Sequence, residues 1–464
     1  MTDSPWAGDA CSLVNAFRAG ERSPVDETAA TLAAIEASDL NAFAFVDGDA
    51  ALEAARRADT SLPFGGVPLA IKELESVAGW PSTEASLVFK DRIGTYDSTM
   101  VTRLRGAGVV PVGMTTASEF GGLNVSVSRL HGVTGNAWDP TRTAGGSSSG
   151  SASAVAAGLV PLATGSDGGG SIRIPAGFNG LVGFKGTAGR IPRGPHTAIA
   201  PLTVVLGCLS RSVPDIARYL DVCAGFNSRD PYSLSRVEGW ERDLGTHDLT
   251  GRRAVIAPDL GSAVVRPEVA TLVSEAAEAL ARAAGLELVD VPVKLPGLGF
   301  EWAMANMAGL IVELGDLYPD SADQLTLEMQ FGLTLATQVY NLDLAAAGER
   351  QRTAANETMA DLFDEVEFVI AATNPDVAFP ADVTLNTRVG DLTVGAENNG
   401  ALTIPANITG NPAITIPAGL VDGLPVGLQI IGRHNADALL LDLALALQRE
   451  RPWPLLAERR LRPD

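Results

Sequence analysis

The sequence is poor in the residues that make enzyme chemistry easy to recognise. Its 464 residues include four His (His131, His196, His247, His434) and three Cys (Cys11, Cys208, Cys223). No two His fall at an HxxxH or HExxH spacing. A protein-built zinc site is therefore not expected, and no other cofactor is called for. The three cysteines lack metal-ligand spacing and read as small buried apolar residues. Basic residues are short as well: 34 Lys plus Arg stand against 55 Asp plus Glu, a net charge of −21. A phosphate-binding surface needs a basic stripe, so nucleic acid is excluded as a partner. The same balance argues against adhesion to anionic lipid. No apolar run reaches the ~20 residues of a membrane span. The opening MTDSPWAGDA has no basic region followed by an apolar stretch, so no signal peptide is expected. A cytoplasmic enzyme acting on a small molecule is the expectation, as a monomer or a homodimer.

Lysine is as scarce as histidine. Only Lys72, Lys90, Lys185 and Lys294 occur, and Arg cannot release its proton at working pH. Any chemistry that needs a neutral amine has four candidates.

What is present reads as α/β. Residues 9–60 carry helical patterns, with Ser23 as N-cap and Pro24 at the first position of one helix. Val67–Ile71 reads as a short buried strand ending on Lys72. A helix follows over Ser98–Ala107, then a strand over Val109–Val112. Strand, helix and strand recur at Ala254–Ile256, Glu268–Ala284 and Glu287–Val291. Residues 297–350 are helical and apolar. Strands are expected at 366–372 and 413–417, and a helix over Ala436–Arg449. No repeat or linker divides the chain. One large α/β domain over 1–464 is expected: N-terminal helices at about 9–60, a catalytic core at about 61–225, and a substrate-shaping helical region at about 297–350.

Residues 143–190 differ in kind. Gly, Ser and Ala dominate, yet apolar residues at 154–162 rule out a flexible linker. Dense small residues let backbone approach backbone. Gly145-Gly146 precede Ser147-Ser148-Ser149, and Gly168-Gly169-Gly170 precede Ser171. Successive glycines before a serine leave backbone N–H groups free to converge on one point, as an oxyanion hole requires. A serine hydroxyl needs a base within reach. No His sits in a glycine-rich loop, whereas Lys72 ends an apolar strand, and burial favours its neutral form.

The stretch GGSSSGSASAVAAGLVPLATGSDGGGSIRIPA (145–176) resembles the signature of the amidase signature family. GLVGFKGTAGRI (180–191), GCLSRSVPDIA (207–217), ITGNPAITIPAGLVDGLPVGLQIIGR (408–433) and VPLAIKE (67–73) extend the likeness from about residue 10 to the C-terminus. The resemblance implies a mixed twisted β-sheet covered by helices on both faces. It implies a serine hydrolase that cleaves carboxylic amides through a Ser–cis-Ser–Lys triad. Ser171 would be the nucleophile, Ser147 the serine after a cis peptide bond, and Lys72 the base. The nitrogens of Gly168, Gly169, Gly170 and Ser171 would form the oxyanion hole. Gly121 and Gly122 match substrate-facing positions. Asp167 and Arg173, flanking the nucleophile, read as an ion pair that holds its loop.

The sequence departs from the family pattern at Glu73 (usually Asp), Gly168 (Thr), Gly186 (Pro) and Cys208 (Pro). None touches the triad. Ile174 stands where amidotransferase subunits usually carry Gln, which leans against a tRNA-linked role. Other readings stay open at this point. Lys185 is a second candidate base, and His196 either lines the pocket or is exposed. Ser148 or Ser149 serves as a helix N-cap. Gly146–Gly150 also fits a G-x-S-x-G nucleophile elbow centred on Ser148, although 139–145 does not read as the strand an elbow needs. A non-catalytic scaffold in an amidotransferase-like complex is the remaining alternative. The side-chain-free Gly121, Gly122 and Gly168 predict an open, apolar site for bulky aryl amides and anilides, with esters and carbamates (a urethanase activity) as extensions. Residues 300–331 and a loop at 190–206, a candidate lid, would shape it.

Overall fold

Pro68–Lys72 shows how the sheet is built. Leu69 and Ile71 pack into one apolar cluster with Leu13 and Phe17 of the first helix and with Met100 and Leu104. Ala70, between them, packs into a different cluster with Ala51, Ala152 and Val155. Side chains alternate across a strand, so one strand feeds two cores. The sheet is therefore covered by helices on both faces, as the resemblance implies. The computed structural model describes residues 4–125, 127–196, 203–296 and 300–459.

In chain order the elements begin with α1 (Ala10–Ala19), α2 (Pro24–Ala37), β1 (Phe43–Val46), α3 (Gly48–Arg56), β2 (Pro68–Lys72), α4 (Thr99–Gly106) and β3 (Val110–Thr115). A short hairpin, β4 (Val127–Ser128) and β5 (Gly132–Val133), leads to α5 (Ser149–Ala156), β6 (Leu162–Asp167), α6 (Arg173–Asn179), β7 (Val182–Lys185), β8 (Val205–Ser210) and α7 (Val213–Cys223). Then come β9 (Arg253–Ile256), α8 (Pro267–Ala284), β10 (Glu287–Leu288), α9 (Phe300–Leu314), α10 (Leu327–Val339), α11 (Leu342–Glu365) and β11 (Phe368–Ala372). A second hairpin, β12 (Arg388–Val389) and β13 (Leu392–Thr393), precedes α12 (Ile404–Ile408), β14 (Ala413–Val421), β15 (Leu424–Gly432) and α13 (Asp437–Glu450).

Eleven strands form one mixed sheet in the order β1-β3-β2-β6-β8-β7-β14-β15-β11-β9-β10. β2 is parallel to β3 and to β6, whereas β6 is antiparallel to β8. The parallel trio puts the carboxyl ends of β2 and β6 at one sheet edge, where open α/β sheets place their ligands.

Local signals behave as their chemistry requires. The Ser23 hydroxyl accepts from Asp26 N with Pro24 at the first turn, and the Ser98 hydroxyl accepts from Val101 N. The stretch 9–60 is not all helix: β1 interrupts it, pairing with β3. A four-residue strand at a sheet edge is too short to register against helical patterns on either side. β15 also goes beyond the expectation. Its pairing with β14 is set by the Asp422-Gly423 turn, an Asp-Gly hairpin signal. The strand expected over Glu287–Val291 is only two residues long.

Candidate active site

Lys72 is the last residue of β2 and is fully buried. Its backbone N–H donates to Thr164 Oγ1 at 2.9 Å, which fixes β2 against β6. Its Nζ lies 2.8 Å from Ser147 Oγ, 3.0 Å from Ser166 Oγ and 3.5 Å from the Ser166 carbonyl. Burial pushes this amine down to about 7, against the opposing pull of Asp167, Glu75, Glu84 and Glu73. A neutral lysine is thus accessible near pH 7.

Ser147 precedes α5, and its peptide bond to Gly146 is cis. Ser171 lies on the turn between β6 and α6 and is 5 % exposed. The Ser148 N–H donates to the Ser171 carbonyl at 3.2 Å, so backbone ties the two serine loops together. Among the described residues, Ser147 Oγ is bonded to Lys72 Nζ, and the Ser171 hydroxyl has no intrachain partner. The link from lysine to Ser147 is closed and that from Ser147 to Ser171 is open. Such contacts commonly tighten only when substrate is bound.

Asp167 and Arg173 form the expected ion pair. Arg173 Nε and Nη2 each donate to the Asp167 carboxylate at 3.0 Å, and both side chains are 0 % exposed. Burial raises the Asp167 pKa, but the Arg173 charge and its hydrogen bonds outweigh that and hold the carboxyl well below its usual range. Arg173 also reaches the Thr403 carbonyl and Asn407 Oδ1, anchoring the Ser171 loop to α12. Asp167 further accepts from the backbone N–H of Gly170, Ile172 and Arg173, at 2.8, 3.2 and 3.3 Å.

That last set changes the expected oxyanion hole. The Gly170 N–H is committed to Asp167, because the carboxylate is aimed at it by Arg173. Among the described residues, the N–H groups of Gly168, Gly169 and Ser171 have no intrachain acceptor and remain available. Gly170 itself adopts φ +126°, which a side chain disfavours, and a Cβ there would meet Thr403 Oγ1 at 2.4 Å.

The alternatives separate cleanly. Lys185 Nζ donates to the carbonyls of Asn411 (2.6 Å) and Gly186 (3.3 Å) and bonds neither serine. Ser148 opens α5, but its side chain caps no backbone N–H and instead reaches the Ser166 carbonyl at 3.4 Å. No strand runs through 139–145, so no nucleophile elbow forms. His196 is exposed, its ring 4.6 Å from that of Tyr96. Of the loop expected at 190–206, residues 197–202 fall outside the described residues, and 205–206 belong to β8 rather than to a loop. All three cysteines are buried and free, and burial raises each thiol.

The glycines do not leave the open site that the sequence suggests. A Cβ on Gly122 would meet Met329 Cε at 2.6 Å, one on Gly121 would meet Leu74 Cδ1 at 3.0 Å, and one on Gly168 would meet Val204 Cγ2 at 3.2 Å. Neighbouring apolar side chains fill the space the glycines vacate. Ser147 Oγ, 3.3 Å from such a Cβ on Gly121, and the Glu119 carbonyl, 3.4 Å from one on Gly122, add polar atoms, so these positions are closed in by a mixed, mostly apolar lining.

Sequence reasoning missed several supporting residues. Ser166 bonds Lys72 directly, and Thr164 and Ser166 fall two apart in a strand of mostly small and apolar residues. That period-two polar pair is a readable signal. Glu73 is buried and accepts from Ala117 N (2.7 Å), Thr83 Oγ1 (3.1 Å) and His131 Nε2 (2.8 Å), so it fixes the loop leading to Gly121. Glu119 accepts from Ser86 Oγ and from Thr326 N, both at 2.7 Å, tying that loop to the start of α10. These partners lie 33 and 207 residues away, and no local pattern announces them.

The chain matches the family described as Amidase over residues 26–441. It belongs to the amidase family. Among curated relatives it is 33 % identical to a glutamyl-tRNA(Gln) amidotransferase subunit of Lacticaseibacillus paracasei, over 92 % of this chain and 93 % of that protein. Among solved structures it is similar to a bacterial aryl acylamidase of the amidase signature family, with 27 % identity, a TM-score of 0.88, and coverage of 98 % and 99 % of the two chains. The peptide amidase of Stenotrophomonas maltophilia gives 28 % identity and a TM-score of 0.77, with 98 % of each chain covered. The single-domain fold with one large mixed sheet is thus that of the amidase family.

Proposed function

We propose that this amidase-family protein is a serine hydrolase of carboxylic amides, with Ser171 as nucleophile, Ser147 as proton relay and Lys72 as base. The observation that carries the reading is the 2.8 Å contact between a fully buried Lys72 amine and Ser147 Oγ. In the neutral form that amine accepts the Ser147 proton while Ser147 takes the proton of Ser171. Ser171 Oγ bonds to the substrate carbonyl carbon. The N–H groups of Gly168, Gly169 and Ser171 hold the resulting oxyanion, and losing one such donor typically costs ~10²–10³ in rate. Ser147 then passes the proton to the leaving nitrogen, and the C–N bond breaks. Water, deprotonated through the same relay, cleaves the acyl-enzyme.

The apolar surroundings of Met329, Leu74 and Val204 support aryl amides and anilides as substrates, with esters and aryl carbamates sharing the carbonyl chemistry. The likeness to a bacterial aryl acylamidase points the same way. A panel of chromogenic anilides, esters and aryl carbamates tests it. Turnover of acetamide but of no anilide would contradict the apolar-site reading.

A second reading is a component of an amidotransferase-type assembly. It is favoured by the curated relatives, which are named as amidotransferase subunits. Covalent labelling by a serine-directed fluorophosphonate separates a free-standing hydrolase from an inactive scaffold. Labelling of the isolated chain supports the hydrolase, and none at alkaline pH supports the scaffold.

A further inference from the structure

A short segment, 115–118, spans the gap between the strand that ends on Lys72 and the helix that follows Ser147. One side of it is bonded to the end of β2. The Glu73 N–H donates to the Thr115 carbonyl at 3.1 Å, and the Ala117 N–H donates to Glu73 Oε1 at 2.7 Å. The other side is bonded to the Ser147 loop and the start of α5. The Ser118 N–H donates to the Ser147 carbonyl at 3.4 Å, the Gly150 N–H donates to the Thr116 carbonyl at 3.0 Å, and Thr115 Oγ1 and Ser151 Oγ share a hydrogen bond of 2.7 Å. Three residues further along, a Cβ on Gly121 would meet Ser147 Oγ at 3.3 Å. The segment therefore braces the Lys72–Ser147 pair from both ends.

The clamp on this brace is a carboxylate that the proposed relay does not use. Glu73 has a side chain only 3 % exposed, and its second oxygen, Oε2, accepts from Thr83 Oγ1 at 3.1 Å and from His131 Nε2 at 2.8 Å. A carboxylate held at both oxygens keeps one orientation, so Oε1 stays on Ala117. His131 stands on the turn between β4 and β5 and is itself fixed. Its N–H donates to Ser128 Oγ at 3.0 Å, and its carbonyl accepts from Asn41 Nδ2 at 2.7 Å.

We propose that Glu73 and His131 are positioning residues that lock segment 115–118 and so hold Ser147 Oγ against Lys72 Nζ. The inference rests on the amide-hydrolase reading and adds the device that keeps its relay aligned. Without the His131 contact the carboxylate is free to turn and the segment to relax, and a misplacement of about 1 Å can cost ~10² in rate.

The test uses the full chain with a chromogenic anilide and an activated ester of the same acyl group. His131→Leu removes the donor and keeps the bulk. It is expected to lower kcat for the anilide about 10-fold with KM within about 2-fold, the signature of an interaction that serves the chemical step. The ester is expected to lose no more than about 3-fold, because its leaving group needs no proton from Ser147. His131→Gln, which restores an N–H at similar reach, is expected to bring the anilide rate back to within about 3-fold of the parent. In the Ser147→Ala background, His131→Leu is expected to add less than about 2-fold, because the pair acts through that serine. Thr83→Val removes the other donor to Glu73 Oε2 at nearly constant volume and is expected to lower the anilide-to-ester ratio in the same direction, which keeps the proposal testable if His131→Leu does not fold. An unchanged anilide kcat, equal losses on anilide and ester, a Gln variant no better than Leu, a full further loss in Ser147→Ala, or an unchanged ratio in Thr83→Val would each overturn it. Anilide turnover that survives Ser171→Ala would instead contradict the underlying hydrolase reading, so the two failures are distinguishable.

Discussion

The nucleophile cradle and the helical segment beside it are opposites in construction. From Thr143 to Phe178 nearly every residue is buried, and the charged groups in and beside this stretch meet fixed partners: Asp167 with Arg173, Arg173 with Asn407, Lys72 with Ser147 and Ser166. In the helical segment large apolar side chains stand in solvent, among them Val312 (82 % exposed), Leu327 (77 %), Phe331 (70 %) and Leu342 (88 %). The cradle positions reacting atoms, which demands a single rigid arrangement. The helical segment contributes single side chains, Trp302 and Met329, to the edge of that cradle and leaves much of its surface unused. On the proposed function, chemistry sits in the cradle and selectivity beside it, in regions with different tolerance to change.

Substitutions test this contrast. Ser171→Ala is expected to remove at least about 10³ of the amidase rate, since a missing nucleophile is not replaced by its neighbours; steady-state kinetics on a chromogenic anilide reads it. Lys72→Ala is expected to cost about 10²–10⁴, the usual worth of a general base. In the parent protein kcat/KM should rise with pH through about 7 to a plateau, because the amine must lose its proton to act and burial has moved that loss down to about 7. A profile flat from pH 5 to 9 would count against a lysine base.

Arg173→Met probes the cradle's rigidity. It leaves Asp167 charged and buried without its partner, and breaking such a pair costs about 3–5 kcal/mol; urea unfolding measures it. Ser147→Ala should slow amide cleavage more than cleavage of an activated ester, because an amine leaves only when protonated. Equal losses would remove Ser147 from the relay. The smallest effect belongs to the helical segment: Phe331→Ser should change stability by no more than about 0.5 kcal/mol. A large loss there would show that the two regions are not separable in this way.

The same contrast explains what could be read in advance. The cradle is written locally: glycines before serines, a lysine closing an apolar strand, and acid and base flanking the nucleophile six residues apart. Its long signature carries the family resemblance, and with it the fold. Even so, the commitment of the Gly170 N–H to Asp167 is invisible in a sequence, because it depends on how Arg173 turns the carboxylate. Lys72 and Lys185 look alike on paper, and burial pushes both down to about 7. Only the fold sets one against serine hydroxyls and the other against backbone carbonyls. The contacts of the helical segment are illegible for a related reason. Trp302 meets Gly169, and Met329 meets Gly122, across more than a hundred residues of chain, and an apolar residue on an apolar helix gives no sign of which neighbour it will find.

The central claim is that neutral Lys72 activates Ser171 through Ser147. It is tested most directly by the rate of fluorophosphonate labelling as a function of pH, with the labelled peptide identified by mass spectrometry. The account predicts that the label is on Ser171, that its rate falls below about pH 7, and that Lys72→Ala labels slowly with no such fall. Label on another residue, or an acid limb that persists in Lys72→Ala, would contradict it.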